Sequence, residues 1–310
     1  MSQANPHLPV LLKETISKIF TNPSGIYLDG TVGYGGHSEK ILKKLSPKGM
    51  LIGIDLDPYA LEYAENRLSK IQTSYSLFQK NYREYPQLLQ KLDIKKLTGI
   101  LLDLGFSSSQ IKTEHRGFSF QTDAPLDMRY NPKSGISAFE FLNKSNVKEI
   151  GNTINSYGEE RNYKKIAYNI HAAAVKAKMN TTYDLKRAIV RSVNPRFLTK
   201  SLARVFQAIR IKINDELGAL EEALFNSINW LQIGGRIAIL SFHSLEDRIV
   251  KNFFINNAKL CICPKEYPIC CCNTIPTFKI LTRKAIVPTE SEIQNNYQSR
   301  SAKLRVAERI

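Results

Sequence analysis

The chain contains 310 residues, 43% of them hydrophobic, and its 44 Lys and Arg against 28 Asp and Glu give a formal net charge of +16 at pH 7. This length suffices for one large core with a smaller second unit. No apolar run is long enough to span a bilayer, and the N-terminus lacks the basic and apolar segments of a secretory signal. We therefore expect a soluble, cytoplasmic protein that does not enter a membrane. The positive charge favours nucleic acid as a partner, although charge alone identifies none.

Residues 7–20 carry apolar side chains at helical spacing. Pro9 is compatible with a first helical turn. The pattern predicts a helix that covers one end of the core.

Residues 26–58 have the pattern of a βαβ unit built around a glycine-rich turn. We predict a strand at 26–28, the turn at 29–36, a helix at 37–45 and a second strand at 50–54. Asp55 follows that second strand, where a carboxylate can accept both ribose hydroxyls of a nucleoside. The unit is therefore expected to bind a nucleoside.

The order of residues in the turn narrows the kind of nucleoside. Asp29 precedes Gly33, Gly35 and Gly36, whereas a dinucleotide site has the order G-x-G-x-x-G. A carboxylate in that place repels phosphate but suits an ammonium or sulfonium group. The turn resembles the D/E-x-G-x-G-x-G loop of class I methyltransferases, and that resemblance implies S-adenosyl-L-methionine as the ligand.

Helices and strands continue to alternate up to Asp103. The pattern predicts a helix at 59–68, a strand at 75–78, a helix at 85–92 and a strand at 99–102. Such alternation is typical of a doubly wound parallel α/β sheet, which binds ligands beyond the carboxyl ends of its strands. The glycine turn, Asp55, Tyr82 and Asp103 are therefore expected to meet in one crevice.

From residue 112 to residue 200 the pattern predicts helices and no strand, with helices at 138–142, 147–157, 162–178 and 182–193. We expect a core made of residues 1–111 and 201–310, with a helical insertion at 112–200 that recognises the substrate. Its basic residues either contact a polyanion or are simply solvated. They are Arg161, Lys164, Lys165, Lys176, Lys178, Lys186, Arg187 and Arg191.

The sheet pattern then resumes. Helices are predicted at 201–211 and 215–231, a fifth strand at 236–240, and two further strands at 277–281 and 303–307, with residues 288–301 as a loop.

The fourth strand leads into the sequence LLDLGFSSSQ at 101–110. Asp103 and Phe106 resemble the D/N/S-P-P-Y/F motif of methyltransferases that modify an exocyclic amine, but the two prolines are absent. Such a motif holds the amine N–H groups and stacks an aromatic ring on the base. Residue chemistry alone therefore predicts that the methyl acceptor is the amine of a base and does not identify the base.

Several segments taken together closely resemble one family, the bacterial small-subunit (16S) ribosomal RNA cytosine-N4 methyltransferases. They are HxPVLLxE (7–14), DGTxGxGGHS (29–38), GIDxDP (53–58), LLDLGFSSxQ (101–110), RGFSFxxDAPLDMR (116–129), SFHSLEDRxVKxFF (241–254) and SRSAKLRVAER (299–309). The resemblance implies a class I methyltransferase core with a helical insert. It also implies methylation of a cytidine in the decoding region of the small ribosomal subunit.

The same resemblance assigns the methyl donor to Gly35, Gly36, His37, Asp55, Tyr82, Asp103 and Gln110. Tyr82 stands where the family often has phenylalanine, and either ring can stack.

We expect direct attack of the cytosine N4 on the sulfonium methyl group, without a covalent enzyme intermediate. Asp103 is the predicted catalytic acceptor for the amine. His243 either takes up the released proton, or holds a phosphate, or only leads into a helix whose start, at 244–247, resembles a capping box. Asp127, Met128 and Arg129 either shape the base pocket or brace the insert against the core.

Two other functions remain open from the residues. One is a methyltransferase for another base amine, such as adenine N6; the other is a non-catalytic RNA-binding factor for ribosome assembly. The sequence leaves the oligomeric state undecided.

The five cysteines, at 261, 263, 270, 271 and 272, form one cluster. Their C-x-C spacing differs from the usual C-x-x-C of zinc sites, and no histidine lies nearby. We therefore expect reduced thiols and no metal.

Overall fold

The structure is a computed structural model and describes residues 9–104, 116–261, 263, 272 and 274–310. The chain divides into two compact units, one of residues 1–105 with 218–310 and the other of residues 106–217. The second unit therefore ends later than the boundary expected at 200/201. The helix at 198–214 belongs to it because Leu202, Val205, Phe206 and Ile209 are buried in that unit's core.

The first unit is built on a sheet with the strand order β3-β2-β1-β4-β5-β7-β6. Strands β1 to β5 pair in parallel, whereas β7 is antiparallel to both β5 and β6. This arrangement confirms the predicted doubly wound sheet. The strands are β1 (Ile26–Asp29), β2 (Met50–Asp55), β3 (Ser74–Gln79), β4 (Leu97–Asp103), β5 (Leu231–Ser241), β6 (Phe278–Ile280) and β7 (Lys303–Arg309).

Helices flank these strands and also build the second unit. In chain order they are α1 (Leu12–Ile19), α2 (Gly36–Leu42), α3 (Pro58–Leu68), α4 (Tyr85–Lys91), α5 (Ala138–Lys144), α6 (Val147–Gly158), α7 (Tyr163–Val175), α8 (Thr182–Val190), α9 (Leu198–Asn214), α10 (Glu216–Trp230), α11 (Ser244–Asn257) and α12 (Glu290–Asn295). None of the helices in the described part of the chain is long and apolar enough to cross a bilayer.

The central strands are buried on both faces, as is typical of parallel sheets covered by helices. Tyr27 and Leu51 belong to one apolar cluster, whereas their chain neighbours Leu28 and Ile52 belong to another. Because successive side chains of a strand point to opposite faces, the sheet separates two cores. The polar residues at the carboxyl ends of these parallel strands lie at one edge of the sheet.

The segment 288–301, predicted as a loop, instead contains α12 and a 3-10 turn at Tyr297–Ser301. Thr289 caps α12 by accepting a hydrogen bond from the Glu292 backbone N–H at 3.2 Å. Glu292 in turn accepts a hydrogen bond from the Leu11 N–H at 2.7 Å. A six-residue helix without a buried stripe gives no periodic signal, so the prediction of a loop was wrong.

The N-terminal helix is shorter than predicted. It begins at Leu12, because Leu11 has a left-handed backbone with φ of 50°. Pro9 and Val10 therefore lie outside it, and residues 7 and 8 lie outside the described residues.

In the second unit, helices α5 to α9 enclose a separate core that includes Ile150, Ile154, Ile166 and Ile170. Capping boxes begin three of these helices, with Ser137, Asn146 and Thr181 as the N-caps. The described residues of this unit form no strand, only an isolated bridge between Pro125 and Thr181. This confirms the predicted helical insertion.

Candidate active site

The glycine-rich turn connects the end of β1 to the start of α2. Gly33 and Gly35 have φ of 51° and 73°, left-handed conformations that side chains with a Cβ adopt at a cost. The Gly35 N–H donates to the Val32 carbonyl at 2.8 Å, which closes the turn. A Cβ on Gly33 would meet no neighbouring atom closer than 4.0 Å, so the backbone there faces open space. Gly36 is the first residue of α2 and lies against Pro9.

Asp55 ends β2 and fixes this turn to the sheet. Its Oδ2 accepts a hydrogen bond from the Gly33 N–H at 2.8 Å, and its Oδ1 accepts one from the Asp57 N–H at 2.9 Å. Burial raises the pKa of Asp55 to about 6, although these two hydrogen bonds act in the opposite direction. The Leu56 N–H also acts on this carboxylate, which has about four acceptor positions, so Asp55 can still accept a hydroxyl donor.

Asp29 is a second carboxylate at the same edge of the sheet and is only 1% exposed. It accepts hydrogen bonds from the Ser38 hydroxyl at 2.6 Å and from the Thr31 N–H at 3.2 Å. Burial raises the pKa of Asp29 to about 6, and the nearby charge of Asp55 adds to the increase. Two neighbouring carboxylates, one of them buried, favour a ligand that carries positive charge.

Asp103 ends β4, next to β1 in the sheet. Its N–H donates to the Thr31 hydroxyl at 2.6 Å, so the β4 end is joined to the glycine turn. Its Oδ2 lies 3.7 Å from Nδ1 of His37, in the first turn of α2. The glycine turn thus contacts both Asp55 and Asp103, and Asp103 faces His37.

Tyr82 follows β3 and begins a 3-10 turn capped by Asn81. The Lys80 N–H donates to the Asp55 carbonyl at 3.1 Å, which keeps the end of β3 beside the end of β2. A Cβ on Gly30 would lie 3.1 Å from the Tyr82 Cβ, so Tyr82 packs against the start of the glycine turn. Gln110 and Phe106 lie outside the described residues.

His243 follows β5 and is the N-cap of α11. Its Nδ1 accepts a hydrogen bond from the Glu246 N–H at 3.4 Å, and its Nε2 lies 3.1 Å from Glu246 Oε1. The capping box therefore begins one residue before the predicted 244–247. Asp247 instead accepts from Arg305 at 2.6 Å and Lys303 at 3.0 Å on β7.

The segment that contains Asp127, Met128 and Arg129 belongs to the second unit. Arg129 makes a bidentate contact with Asp127, at 2.6 and 3.1 Å, and this contact raises the pKa of Arg129. Met128 is fully buried with φ of 59°, and its carbonyl accepts from the Asn214 amide at 2.8 Å. These contacts brace the second unit internally.

The sequence did not single out Thr31 or Ser38, which hold Asp103 and Asp29. Both lie in the DGTxGxGGHS segment, as small hydroxyl residues beside a carboxylate. That composition was the available signal, but it did not say which strand end each hydroxyl contacts.

The residues fit S-adenosylmethionine. The donor combines ribose hydroxyls with a sulfonium and an ammonium group, and the site combines an acceptor carboxylate, a buried negative charge and an open glycine backbone. With the sheet order described above, these features define a class I methyltransferase, in which S-adenosylmethionine supplies the methyl group.

The chain belongs to the MraW methylase family, whose model matches residues 4–310. A protein from Fusobacterium nucleatum named Ribosomal RNA small subunit methyltransferase H is 43% identical over 98% of this chain and 97% of its own length. Proteins of the same name from Heliobacterium modesticaldum and Caldicellulosiruptor saccharolyticus are 44% and 46% identical, each over 98% of this chain and 98% and 99% of their own lengths.

Proposed function

We propose that this protein transfers a methyl group from S-adenosylmethionine to the exocyclic N4 of a cytidine in 16S ribosomal RNA, in the decoding region of the small subunit. The names of its relatives support a small-subunit ribosomal RNA substrate. The observation that carries the chemistry is the placement of Asp103 beside the glycine turn that Asp55 holds. The cytoplasm, where small subunits are assembled, is the proposed compartment.

In this proposal, Asp55 accepts the ribose hydroxyls and orients the donor. The backbone of Gly35 and Gly36 allows its close approach, and Asp29 favours its positive charge. The Tyr82 ring stacks on the base of the donor, and His37 fixes the first turn of α2. Gln110 is assigned to the donor on the family resemblance alone.

Asp103 acts on the acceptor amine. The lone pair of a cytosine N4 is delocalised into the ring, so attack requires an acceptor that holds its N–H groups and aligns it. A carboxylate at the end of β4 supplies that acceptor. Most of the acceleration then comes from alignment and from a hydrogen bond that strengthens in the transition state.

His243 is the proposed acceptor of the proton that the amine releases. Glu246 Oε1 lies 3.1 Å from Nε2 and would stabilise the imidazolium. Because Nδ1 accepts the Glu246 N–H in the cap, it must give up that hydrogen bond when it takes up the proton, so His243 caps α11 only while it is neutral.

The second unit is proposed to bind RNA. On α7, Lys164 and Lys165 are exposed. Tyr168, which is 64% exposed, follows Lys164 by four residues and Lys165 by three. Residues at this spacing share one face of a helix. A basic face with an exposed ring suits phosphate contacts and base stacking.

The test is methyl transfer from labelled S-adenosylmethionine to small subunits that lack this modification, with free 16S RNA in parallel. Nucleosides from the product are separated and identified by mass spectrometry. We expect label in N4-methylcytidine. Label in N6-methyladenosine would show that adenine N6, and not cytosine N4, accepts the methyl group. Donor binding without transfer to either RNA would favour the assembly-factor alternative.

A further inference from the structure

Three cysteines converge in the connection between α11 and β6. Their Sγ atoms, from Cys261, Cys263 and Cys272, all lie within 4.8 Å of one another. Cys261 and Cys272, although eleven residues apart, have Sγ atoms separated by 3.8 Å. A disulfide requires an S–S distance of about 2.05 Å, so these two sulfurs are not bonded to each other.

The separation fits coordination to one metal ion. Zn–S bonds of about 2.3 Å at a tetrahedral angle place two sulfurs roughly 3.8 Å apart. Thiolates are soft ligands, and Zn²⁺ is a common metal for tetrahedral thiolate sets. The C-x-C spacing that argued against zinc in the sequence is therefore compatible with it once distant cysteines are brought together.

Two of the sulfurs also accept hydrogen bonds. The Cys263 N–H donates to the Cys261 Sγ at 3.4 Å, and the Thr274 hydroxyl donates to the Cys272 Sγ at 3.1 Å. Such donors stabilise the negative charge of a thiolate, and groups behind the ligands commonly tune metal affinity. Both contacts place a hydrogen-bond donor behind a sulfur, as is common for thiolate ligands of a metal.

We propose that Cys261, Cys263 and Cys272 bind a structural Zn²⁺ ion, supplying three of its four ligands. The fourth ligand is left unassigned.

The ion would close the connection at a second point. The two ends of the connection are already joined, because the Thr277 N–H donates to the carbonyl of Asn257, the last residue of α11, at 2.8 Å. Zinc would join Cys261 and Cys263 to Cys272. A crosslink between distant positions of a chain reduces the entropy of the unfolded state, so metal binding would add to the stability of the protein.

The experiment measures metal in the full-length protein, purified without chelator, loaded with Zn²⁺ and freed of excess. We expect about one zinc per chain by mass spectrometry of the elements. Cys261→Ser and Cys272→Ser should each lower zinc affinity by at least about 100-fold. Ile275→Ser is the matched control, because Ile275 is 83% exposed in the same loop and contributes no sulfur.

A fourth variant guards against misfolding. Thr274→Val keeps every thiol but removes the hydroxyl donor to Cys272, and should lower zinc affinity roughly 10- to 100-fold with unchanged stoichiometry at saturation. Cobalt substitution should give a thiolate charge-transfer band that Cys261→Ser weakens. Donor binding by each variant checks that the core is folded.

Three results would overturn the proposal. They are zinc below a tenth of an equivalent with all thiols titratable, stoichiometric iron or copper in place of zinc, and zinc that remains fully bound in Cys261→Ser and Cys272→Ser. A disulfide found by mass mapping of the metal-free protein, with no zinc uptake after reduction, would instead identify a redox pair.

Discussion

The imidazole of His37 stands between the N-terminal segment and the end of β4. Its Nε2 lies 3.1 Å from the Val10 carbonyl, and its Nδ1 lies 3.7 Å from Oδ2 of Asp103. Because a carbonyl can only accept, Nε2 carries the proton and Nδ1 faces the carboxylate. The side chain proposed to hold the acceptor amine is thus adjacent to the helix that follows the glycine turn.

Asp103→Asn should separate donor binding from chemistry. The substitution is nearly isosteric, but a carboxylate becomes a neutral amide with one acceptor and one donor group. We expect turnover at saturating donor to stay low, because a contact that strengthens in the transition state is lost. Single-turnover kinetics with measured donor affinity would show this.

The matched control for Asp103 is Thr31→Val, which removes the hydroxyl that accepts from the Asp103 N–H and keeps the carboxylate. Its effect on turnover should be smaller. If the turnover of Asp103→Asn recovers at saturating donor, Asp103 serves donor binding alone. Wild-type affinity and turnover together would remove Asp103 from the site.

Asp55→Ala should weaken donor binding by on the order of 1.5–3 kcal/mol, the value of charge-assisted hydrogen bonds, or roughly 10- to 150-fold in Kd. Titration calorimetry measures this directly. Asp93→Asn, which changes an exposed carboxylate in the same unit, should leave the affinity unchanged.

The donor affinity of the wild type should also fall as the pH falls through about 6, the raised pKa of Asp55, because the neutral carboxyl is a weaker acceptor. This dependence should be reduced in Asp55→Asn. Equal affinity of wild type and Asp55→Ala would show that the end of β2 does not hold the ribose.

Asp29→Asn should stabilise the protein without ligand at neutral pH. The pKa of Asp29 is raised from 3.8 to about 6 by burial, so the folded state holds its proton more tightly than the unfolded state. The resulting penalty is absent below about pH 4, grows as the pH rises to about 6, and is complete above it. The gain for the variant is at most on the order of 3 kcal/mol.

Denaturant unfolding of wild type and Asp29→Asn at several pH values would check this. The difference in the free energy of unfolding should shrink to near zero on acidification. A variant less stable than the wild type above pH 6 would mean that the Ser38 and Thr31 contacts outweigh the burial of the charge.

His243→Asn should keep the fold and slow the reaction. Asparagine is a favoured N-cap, so α11 keeps its cap and the melting temperature should change little. Turnover should fall about 100-fold, the lower range for loss of a general base. His243→Ala, which loses both functions, is the comparison. Full activity of His243→Asn would restrict His243 to capping.

Neutralising Lys164, Lys165, Lys176 and Lys178 together should weaken RNA binding and flatten its salt dependence. Each lost phosphate contact lowers the slope of log K against log salt by roughly one unit. Filter binding at several salt concentrations measures this slope, and donor affinity should not change.

A control that removes four exposed lysines from the first unit, Lys40, Lys48, Lys70 and Lys91, changes the net charge equally. The same loss of slope in both variants would show a general charge effect rather than a binding face.

The local elements of the core could be predicted from short-range patterns in the sequence. Alternating apolar segments predicted strands β1 to β4, and the acidic residues Asp55 and Asp103 were correctly expected at strand ends. These features depend on a period of two or 3.6 residues and on a few adjacent residues, so they can be read without tertiary contacts. The helical nature of the insertion followed from the same periodicity.

Which of these residues meet could not be predicted, because it depends on the packing of the strands and helices. The contact of Thr31 with Asp103 spans 72 positions, and only the pairing of β1 with β4 brings them together. Likewise α9 belongs to the second unit because its apolar stripe packs there, although the stripe itself is equally compatible with either core. The convergence of Cys261 and Cys272 has the same origin. Local propensity specifies an element and its apolar face, whereas the partner of that face depends on the packing of chain-distant segments.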